Sequence, residues 1–494
     1  MYSLRLKNYR CFDDTGNIDL KPINILVGAN SSGKSSFLKC FPLLKQTIGN
    51  KRNGTFLWYG SNVDFKNFDN VLKEGSSALE LEFVIQNFKA PKRGFYHSLN
   101  EVEITVNLLL SSRENDKNLE NLERLKLMFE DQVFVISFNN KRQIAKITIN
   151  GNPLPDDFDT IMTMDTISLL PRFLFLHNNE VDEDYPFWCR NFFSNNSQGS
   201  SFQNFRRISQ TLFLGSREKT LDYLNDEMSF DDRNRLNKQI LHDAYILLHL
   251  NNIIDAINYR ILSLASNITY IAPFRAAAHR YYRLQNSSVN DIDSDGRNLA
   301  MYLYNLPPDE LSHFQYWTKN LFGFTVDVHS MNGNVEMLIQ EGGRELHNMV
   351  DVGFGYTQIL PVLCVIWKSL YQDENFIIPE IPKNYNEHII AIEQPELHLH
   401  PRLQGLFAAM LVKVIDKARA NDRDIRFVIE THSETIINKL GELVAERECK
   451  ENDVNIYIFN AKHEGMNCYV EKSTFNSDGQ LLNWPYGFFS DYVF

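Results

Sequence analysis

Residues 28–35 read GANSSGKS, and their neighbours limit what this chain can fold into. A short apolar run, Ile23 to Val27, leads into them. A stretch with helical spacing, Ser35 to Lys45, follows and puts Phe37, Leu38, Phe41 and Leu44 on one face. This is G-x4-G-K-[ST] in the strand–loop–helix context that gives the pattern meaning. The chemistry explains the spacing. Gly28 and Gly33 let the backbone N–H groups of Asn30, Ser31, Ser32, Gly33, Lys34 and Ser35 curl around a β-phosphate, with Ser36 in the first helical turn. The helix N-terminus adds about half a positive charge there. Lys34 is expected to reach the β- and γ-phosphates, and the Ser35 hydroxyl to ligate magnesium. ATP with Mg²⁺ is the expected ligand pair.

A phosphate cradle of this kind needs a carboxylate at the end of a neighbouring strand. Residues 388–401 read HIIAIEQPELHLHP: an apolar run, Ile389 to Ile392, ends in Glu393. Glu393 is the expected magnesium carboxylate. The next residue, where a second carboxylate would polarise the attacking water, is Gln394. A glutamine orients water through its carbonyl but takes no proton, so hydrolysis is expected to be slow rather than absent. Glu393 and Glu396 are the alternative bases, should the turn through Pro395 bring either closer. A second apolar strand, Phe427 to Ile429, ends in ETHSE, and its His432 is the expected sensor of the γ-phosphate. His398 and His400 would share one face of a strand, yet no further ligand accompanies them and a metal site is not expected.

With 494 residues the chain exceeds one compact core, so two or three lobes are expected. β-type runs (LELEFVIQNF, EVEITVNLLL, QVFVISF, AKITI) between about 79 and 150 predict an antiparallel sheet. The spacing of Leu119, Leu122 and Leu125 predicts a helix in NLENLERLKLMFEDQ between them. Residues 187–205 are rich in Asn, Ser and Phe and read as a surface loop or an aromatic contact surface. Helical patterning runs from about Arg217 to Ser266, and strands alternating with helices close the chain, which implies a parallel sheet. The expected division is 1–90 and 269–494 as two halves of one α/β domain, with 91–268 inserted.

Hydrophobic residues make up 43% and charged residues 23%, an ordinary globular composition. The longest apolar run, Ile359 to Trp367, is far short of the ~20 residues that span a bilayer. No signal core opens the chain. The six cysteines show no CxxC spacing, so a reduced, cytoplasmic setting is expected. A net charge of −12 opposes indiscriminate nucleic-acid binding. Arg275, His279, Arg280 and Arg283 form a local basic, Tyr-interleaved stretch that reads either as phosphate contacts, to ATP or nucleic acid, or as a solvated helix face.

Together, GANSSGKS, IIAIEQPELHLHP, ETHSE and the opening LRLKNYRCFDD resemble the ABC-type ATPases of the RecF, SMC and OLD branch. DVGFGYTQILPVL, residues 351–363, resembles that branch's signature motif, with Gly353 and Gly355 at a loop-to-helix junction. The resemblance implies a P-loop NTPase, an α/β, ABC-ATPase-like head with a mixed sheet and an inserted α/β-to-helical middle region. It implies a homodimer or higher homo-oligomer in which the helix behind Gly353 and Gly355 meets the γ-phosphate held by a second copy. The middle region is too short for the long coiled coil of SMC proteins. Too few residues follow Pro401 for the nuclease domain of OLD proteins. IAPFRAAAHRYY, SDGRNLAMYL and DGQLLNWPYGFF further resemble a bacterial subfamily of ATPases with a C-terminal domain of unknown function, found in phage-defence loci. The function this implies is an ATP-gated sensor or regulatory ATPase, slow or stimulated by a partner, with a separate nuclease or toxin as effector. The alternatives are a DNA-binding repair ATPase of RecF/SMC type and a scaffold that binds ATP without turnover.

Overall fold

The structure is a computed structural model and describes residues 2–89, 97–113, 116–140, 143–154, 159–163, 168–177, 180–181, 189, 208–228, 238–284, 289, 291–372, 387–462, 467–485 and 488. The chain forms two compact units. Apart from Cys189, the segment 187–205 lies outside the described residues.

The first unit comprises Met1–Asp19, Leu43–Ser266 and Phe376–Tyr385. Its main sheet is antiparallel throughout. Its strands lie in the order Asn152–Pro153, Ile144–Ile149, Gln132–Phe138, Asp116–Phe129, Val102–Arg113, Ala78–Phe88, Ser3–Tyr9 and Phe12–Asp14. Period-2 patterning builds it: Leu79, Leu81, Phe83 and Ile85 are buried and their neighbours are not. The helix expected over residues 118–132 is instead strand Asp116–Phe129 and the turn from it into the strand Gln132–Phe138. Leu122, Leu125, Leu127 and Phe129 are its buried apolar residues, the last three at a period of two, and strands on both sides capture its backbone. The triplet of leucines resembled a helix face because a register shift opposite Leu109 and Leu110 breaks the alternation. Helices Arg217–Met228, Lys238–Leu248 and Leu250–Ser266 follow, as the spacing predicts. Two of the buried polar residues of the last have a clear task. Asn258 accepts the amides of Leu169 and Leu170, and Asn251 accepts that of Phe173, so two side chains of this helix satisfy backbone donors outside it.

The second unit comprises Leu20–Pro42, Asn267–Asn375 and Asn386–Phe494. Its sheet runs Ile268–Ile271, Glu387–Glu393, Asp424–Glu430, Ile23–Gly28 and Val454–Lys462, all parallel, then Asn467–Phe475 antiparallel. The central strands are continuous apolar runs because both faces are covered: all of Ile23–Gly28 is buried. Helices Phe354–Tyr371, Pro401–Ala420 and Glu434–Ala445 supply much of that cover, as their buried faces in one shared core show. Among the described residues the helix Pro401–Ala420, at 20 residues, is the longest, and no long coiled coil occurs among them. No helix among the described residues is long and apolar enough to cross a membrane.

Candidate functional site

The expected site residues lie in the second unit; the glycine loop, Glu393, Gln394, Glu396 and His432 lie at or just past the carboxyl ends of its parallel strands, which is where open α/β sheets hold ligands, and Gly353 and Gly355 lie at the start of a helix. The strand Ile23–Gly28 stops at Gly28, where φ is 147°. A Cβ there would sit 2.1 Å from the carbonyl oxygen of Phe459, so only glycine fits. The loop turns at Ser31 (φ 63°) and Gly33 (φ 95°), and the helix starts at Lys34. Lys34 is buried and its Nζ donates to the carbonyls of Gly28 (2.9 Å) and Ala29 (2.7 Å). Burial lowers its pKa, while Glu430 pulls the other way. Asn30 and Ser31 are exposed at the mouth of the loop. The fully buried Ser32 hydroxyl has no hydrogen-bond partner among the described residues.

The acidic side of the site comes from two neighbouring strands. Glu393 and Glu430 are register partners in the parallel ladder, and Glu430 is in turn the partner of Leu26 on the glycine-loop strand. The Ser35 hydroxyl donates to Glu430 Oε2 at 2.7 Å. Glu393 Oε1 accepts from the Tyr270 hydroxyl at 2.7 Å and lies 3.9 Å from the Lys39 ammonium. Glu396 is committed differently: one oxygen accepts the Thr431 hydroxyl (2.8 Å) and the other the His432 amide (2.7 Å). It thereby ties the turn after Glu393 to the loop that carries His432, whose side chain is exposed. Burial raises the pKa of all three carboxyls. Burial and then the Glu393 charge push the Tyr270 phenol above its ordinary value.

Gln394 has φ 44°, and its backbone is held from both sides: its amide donates to the Glu430 carbonyl at 2.8 Å and its carbonyl accepts from Arg275 at 3.1 Å. Arg275 also donates to the carbonyls of Glu393 and Pro273. Burial lowers its pKa to about 10. The basic stretch is therefore no helix face. Arg275 is buried on backbone, Arg280 pairs with Asp351 at 3.0 Å, His279 packs edge-on against Tyr282, and Arg283 ends a two-residue strand.

Gly353 is the N-cap of the helix Phe354–Tyr371, Gly355 lies in its first turn, and Phe354 is 69% exposed between them. His398 sits in a turn with φ 61°, its ring 6.1 Å from that of Phe354. His400 caps the helix Pro401–Ala420 by accepting the Arg402 amide at 3.2 Å. The two histidines thus share no strand face, because the chain turns between Gln394 and His400. No group of three or more His, Cys, Asp or Glu residues able to hold a metal occurs among the described residues. Magnesium at a phosphate cradle needs none, since it takes one or two protein oxygens and the rest from phosphate and water. The donor set here, a serine hydroxyl beside buried carboxylates, suits that hard cation, and the orphaned Ser32 hydroxyl at Gly28 suits a phosphate oxygen.

Three participants went unassigned in the sequence. Tyr270 and Lys39 gave no local signal. Glu430 did: an apolar run ending in Glu is the same pattern that marked Glu393, but it read only as the approach to His432.

Solved structures of low similarity include the SMC head bound to the C-winged helix domain of ScpA, at 9% identity over 96% of this chain and 98% of that one, with a TM-score of 0.39. The SMC head domain from Thermotoga maritima aligns at 9% identity over 95% and 97%, with a TM-score of 0.32. The recombination mediator protein RecF aligns at 10% over 95% and 97%, with a TM-score of 0.30. Likeness this distant leaves function to the site. No curated protein matches the chain. Residues 449–493 match a family described as a protein of unknown function, DUF3696. The family described as AAA ATPase domain matches residues 1–437, the greater part of the sequence, and the chain belongs to it.

Proposed function

We propose that the protein binds ATP with magnesium in the Gly28–Ser36 cradle and hydrolyses it slowly, as a nucleotide-gated regulatory ATPase. The observation that carries this reading is the meeting of the glycine loop, Lys34 and Ser35 with Glu393 and Glu430 at the ends of adjacent parallel strands. Backbone amides of the loop bind and orient the β-phosphate, and Lys34 exchanges its bonds to Gly28 and Ala29 for phosphate oxygens. Ser35 and Glu393 are the residues assigned to magnesium, which when bound neutralises charge on the β- and γ-phosphates. Gln394 holds the attacking water by its carbonyl. His432, anchored through its amide on Glu396, offers its exposed ring to the γ-phosphate.

Dimerisation around nucleotide is part of the same reading. It is supported by an exposed Phe354 between Gly353 and Gly355 at a helix N-terminus, a surface suited to a phosphate held by a second copy. Six free cysteines fit a cytoplasmic protein. A separate effector, and a role in phage defence, rest on the sequence resemblance alone. The test is nucleotide binding by Lys34→Ala. Loss of fluorescent-ATP binding with an unchanged melting temperature supports the reading, and wild-type affinity in the variant refutes it.

A further inference from the structure

We propose that Arg275 is a positioning residue for ATP hydrolysis, holding the backbone of Gln394 so that its side chain presents the attacking water. The role rests on the hydrolysis reading above and adds a residue to it.

Arg275 is 7% exposed, and its hydrogen bonds among the described residues all go to carbonyl oxygens. Nη1 donates to Pro273 at 2.8 Å and to Gln394 at 3.1 Å, and Nη2 donates to Glu393 at 3.1 Å. Its buried Nε has no hydrogen-bond partner among the described residues. Glu396 and Glu393 favour the guanidinium charge through space, without a side-chain bond to it. Burying a cation on backbone alone, with one N–H unpaired, is costly. An apolar residue would fill the end of the strand Ile268–Ile271 without that cost. What the guanidinium adds is a planar fork that reaches three acceptors at once, on the chain leaving that strand and on the chain leaving its neighbour Glu387–Glu393. A lysine ammonium is a point charge and cannot span them in the same way.

Gln394 is where that grip matters. Its φ of 44° is one that glutamine does not favour, so the residue stays there only while its surroundings hold it. The Glu430 carbonyl holds the amide side at 2.8 Å, one residue past the last ladder pair, Glu393 with Glu430. The carbonyl side accepts the Leu397 amide at 3.3 Å, a bond inside the turn, and Arg275, which ties the turn to another element. Glu393 has anchors of its own: its backbone lies in the ladder and its side chain accepts from Tyr270. Loss of Arg275 therefore frees position 394 more than position 393. Arg275 itself leaves from a fixed base, since the amides of Ala272 and Ala276 donate to the carbonyls of Ser294 and Asp295, each at 2.8 Å.

The test uses the full chain and reads three quantities: fluorescent-ATP affinity, single-turnover phosphate release at saturating ATP, and melting temperature. Arg275→Lys keeps the buried charge but not the fork. It should slow release about 10–100-fold, the scale of a misplacement near 1 Å, while ATP affinity stays within about threefold. Gln394→Ala removes the group that is being positioned, so adding Arg275→Lys to it should cost less than about twofold more. A residue that merely braces the fold would give neither the split nor the non-additivity. If Arg275→Lys melts too early to assay, Arg275→Gln, which keeps a donor without a buried charge, takes its place with the same expectation. Wild-type release in Arg275→Lys, or full additivity with Gln394→Ala, overturns the role. So does an ATP affinity that falls in step with release. A wild type that binds ATP but releases no phosphate is the separate result that removes the hydrolysis reading, and the role of Arg275 with it.

Discussion

Gly28→Ala tests the cradle at its tightest point. An added Cβ would lie 2.1 Å from the carbonyl oxygen of Phe459, 3.0 Å from the carbonyl carbon and 2.9 Å from Ser32 Oγ. Phe459 is the register partner of Gly28 on the adjoining parallel strand, so the obstacle is backbone held by a ladder and not the end of a flexible side chain. Ordinary contact begins near 3.4 Å, which demands a displacement of about 1.3 Å (3.4 − 2.1). Overpacking of this kind costs roughly 1–3 kcal/mol. An alanine at φ 147° adds about 1–3 kcal/mol of backbone strain. The sum, about 2–6 kcal/mol, is a large part of the 5–15 kcal/mol that typically holds a domain together. The chain relieves it by moving the loop, since Phe459 is held in its ladder, and the loop amides then no longer converge on one phosphate. The expected result is a melting temperature lower by several degrees and an ATP affinity at least about tenfold weaker, read by thermal melting and fluorescent-ATP titration. Gly333→Ala is the control: φ is 76° but nothing lies within 4 Å, so it carries strain without a clash and should leave ATP binding intact. Wild-type melting and wild-type affinity in Gly28→Ala would refute the placement of Gly28 against Phe459.

Gln394→Glu adds a base at the same reach and should keep or raise single-turnover phosphate release. Glu393→Gln should lower that release about 10²-fold, and undiminished release would remove Glu393 from the site. In the first unit, His249 is fully buried with its Nε2 3.0 Å from the Ile208 carbonyl, and burial holds its pKa down to about 4. The folded value lies below the ordinary 6.5, so the neutral ring stabilises the fold fully above that pH. That contribution, about 3 kcal/mol, is lost as pH falls from about 6.5 towards 4. A pH series of melting temperatures on wild type and His249→Gln checks it, and identical slopes over that window would count against a buried neutral His249.

What could be read from the sequence followed from how local each signal is. The strands Ile23–Gly28, Glu387–Glu393 and Asp424–Glu430 are short apolar runs closed by Gly or Glu, and the motifs sit at their ends, so strand, loop and carboxylate were legible together. Ser433 caps Glu434–Ala445 and Pro401 opens its helix, both through local rules of helix starts. The strand Asp116–Phe129 was not, because a break in its alternation left three leucines at helical spacing and only its neighbours in the sheet decide the matter. The pairs that shape the site are nonlocal in the extreme. Ser35 and Glu430 are 395 residues apart, and Tyr270 and Glu393 are 123 apart. No period or spacing joins such residues. They meet because the strand of Glu430 inserts between those of Gly28 and Glu393, an order that a linear reading leaves open.

That insertion also bears on the glutamine. The backbone of Gln394 is pinned by the Glu430 carbonyl on one side and the Arg275 guanidinium on the other, in a left-handed conformation that its residue type does not favour. Strain kept at such a point has to be held by the surroundings, and here it is held by the same strand that carries the carboxylate beside Ser35. The side chain at 394 therefore leaves from a fixed origin, which is what orienting a water requires. What the position lacks is a proton acceptor, and its neighbours do not readily lend one. Both Glu396 oxygens carry donors from the His432 loop, Glu430 holds Ser35, and Glu393 answers to Tyr270 and Lys39. On the proposed reading, positioning without a free base makes a site ordered for phosphoryl transfer but slow at it. In the function proposed above, such slowness lengthens the life of the ATP-bound state, and a regulatory ATPase signals through that state.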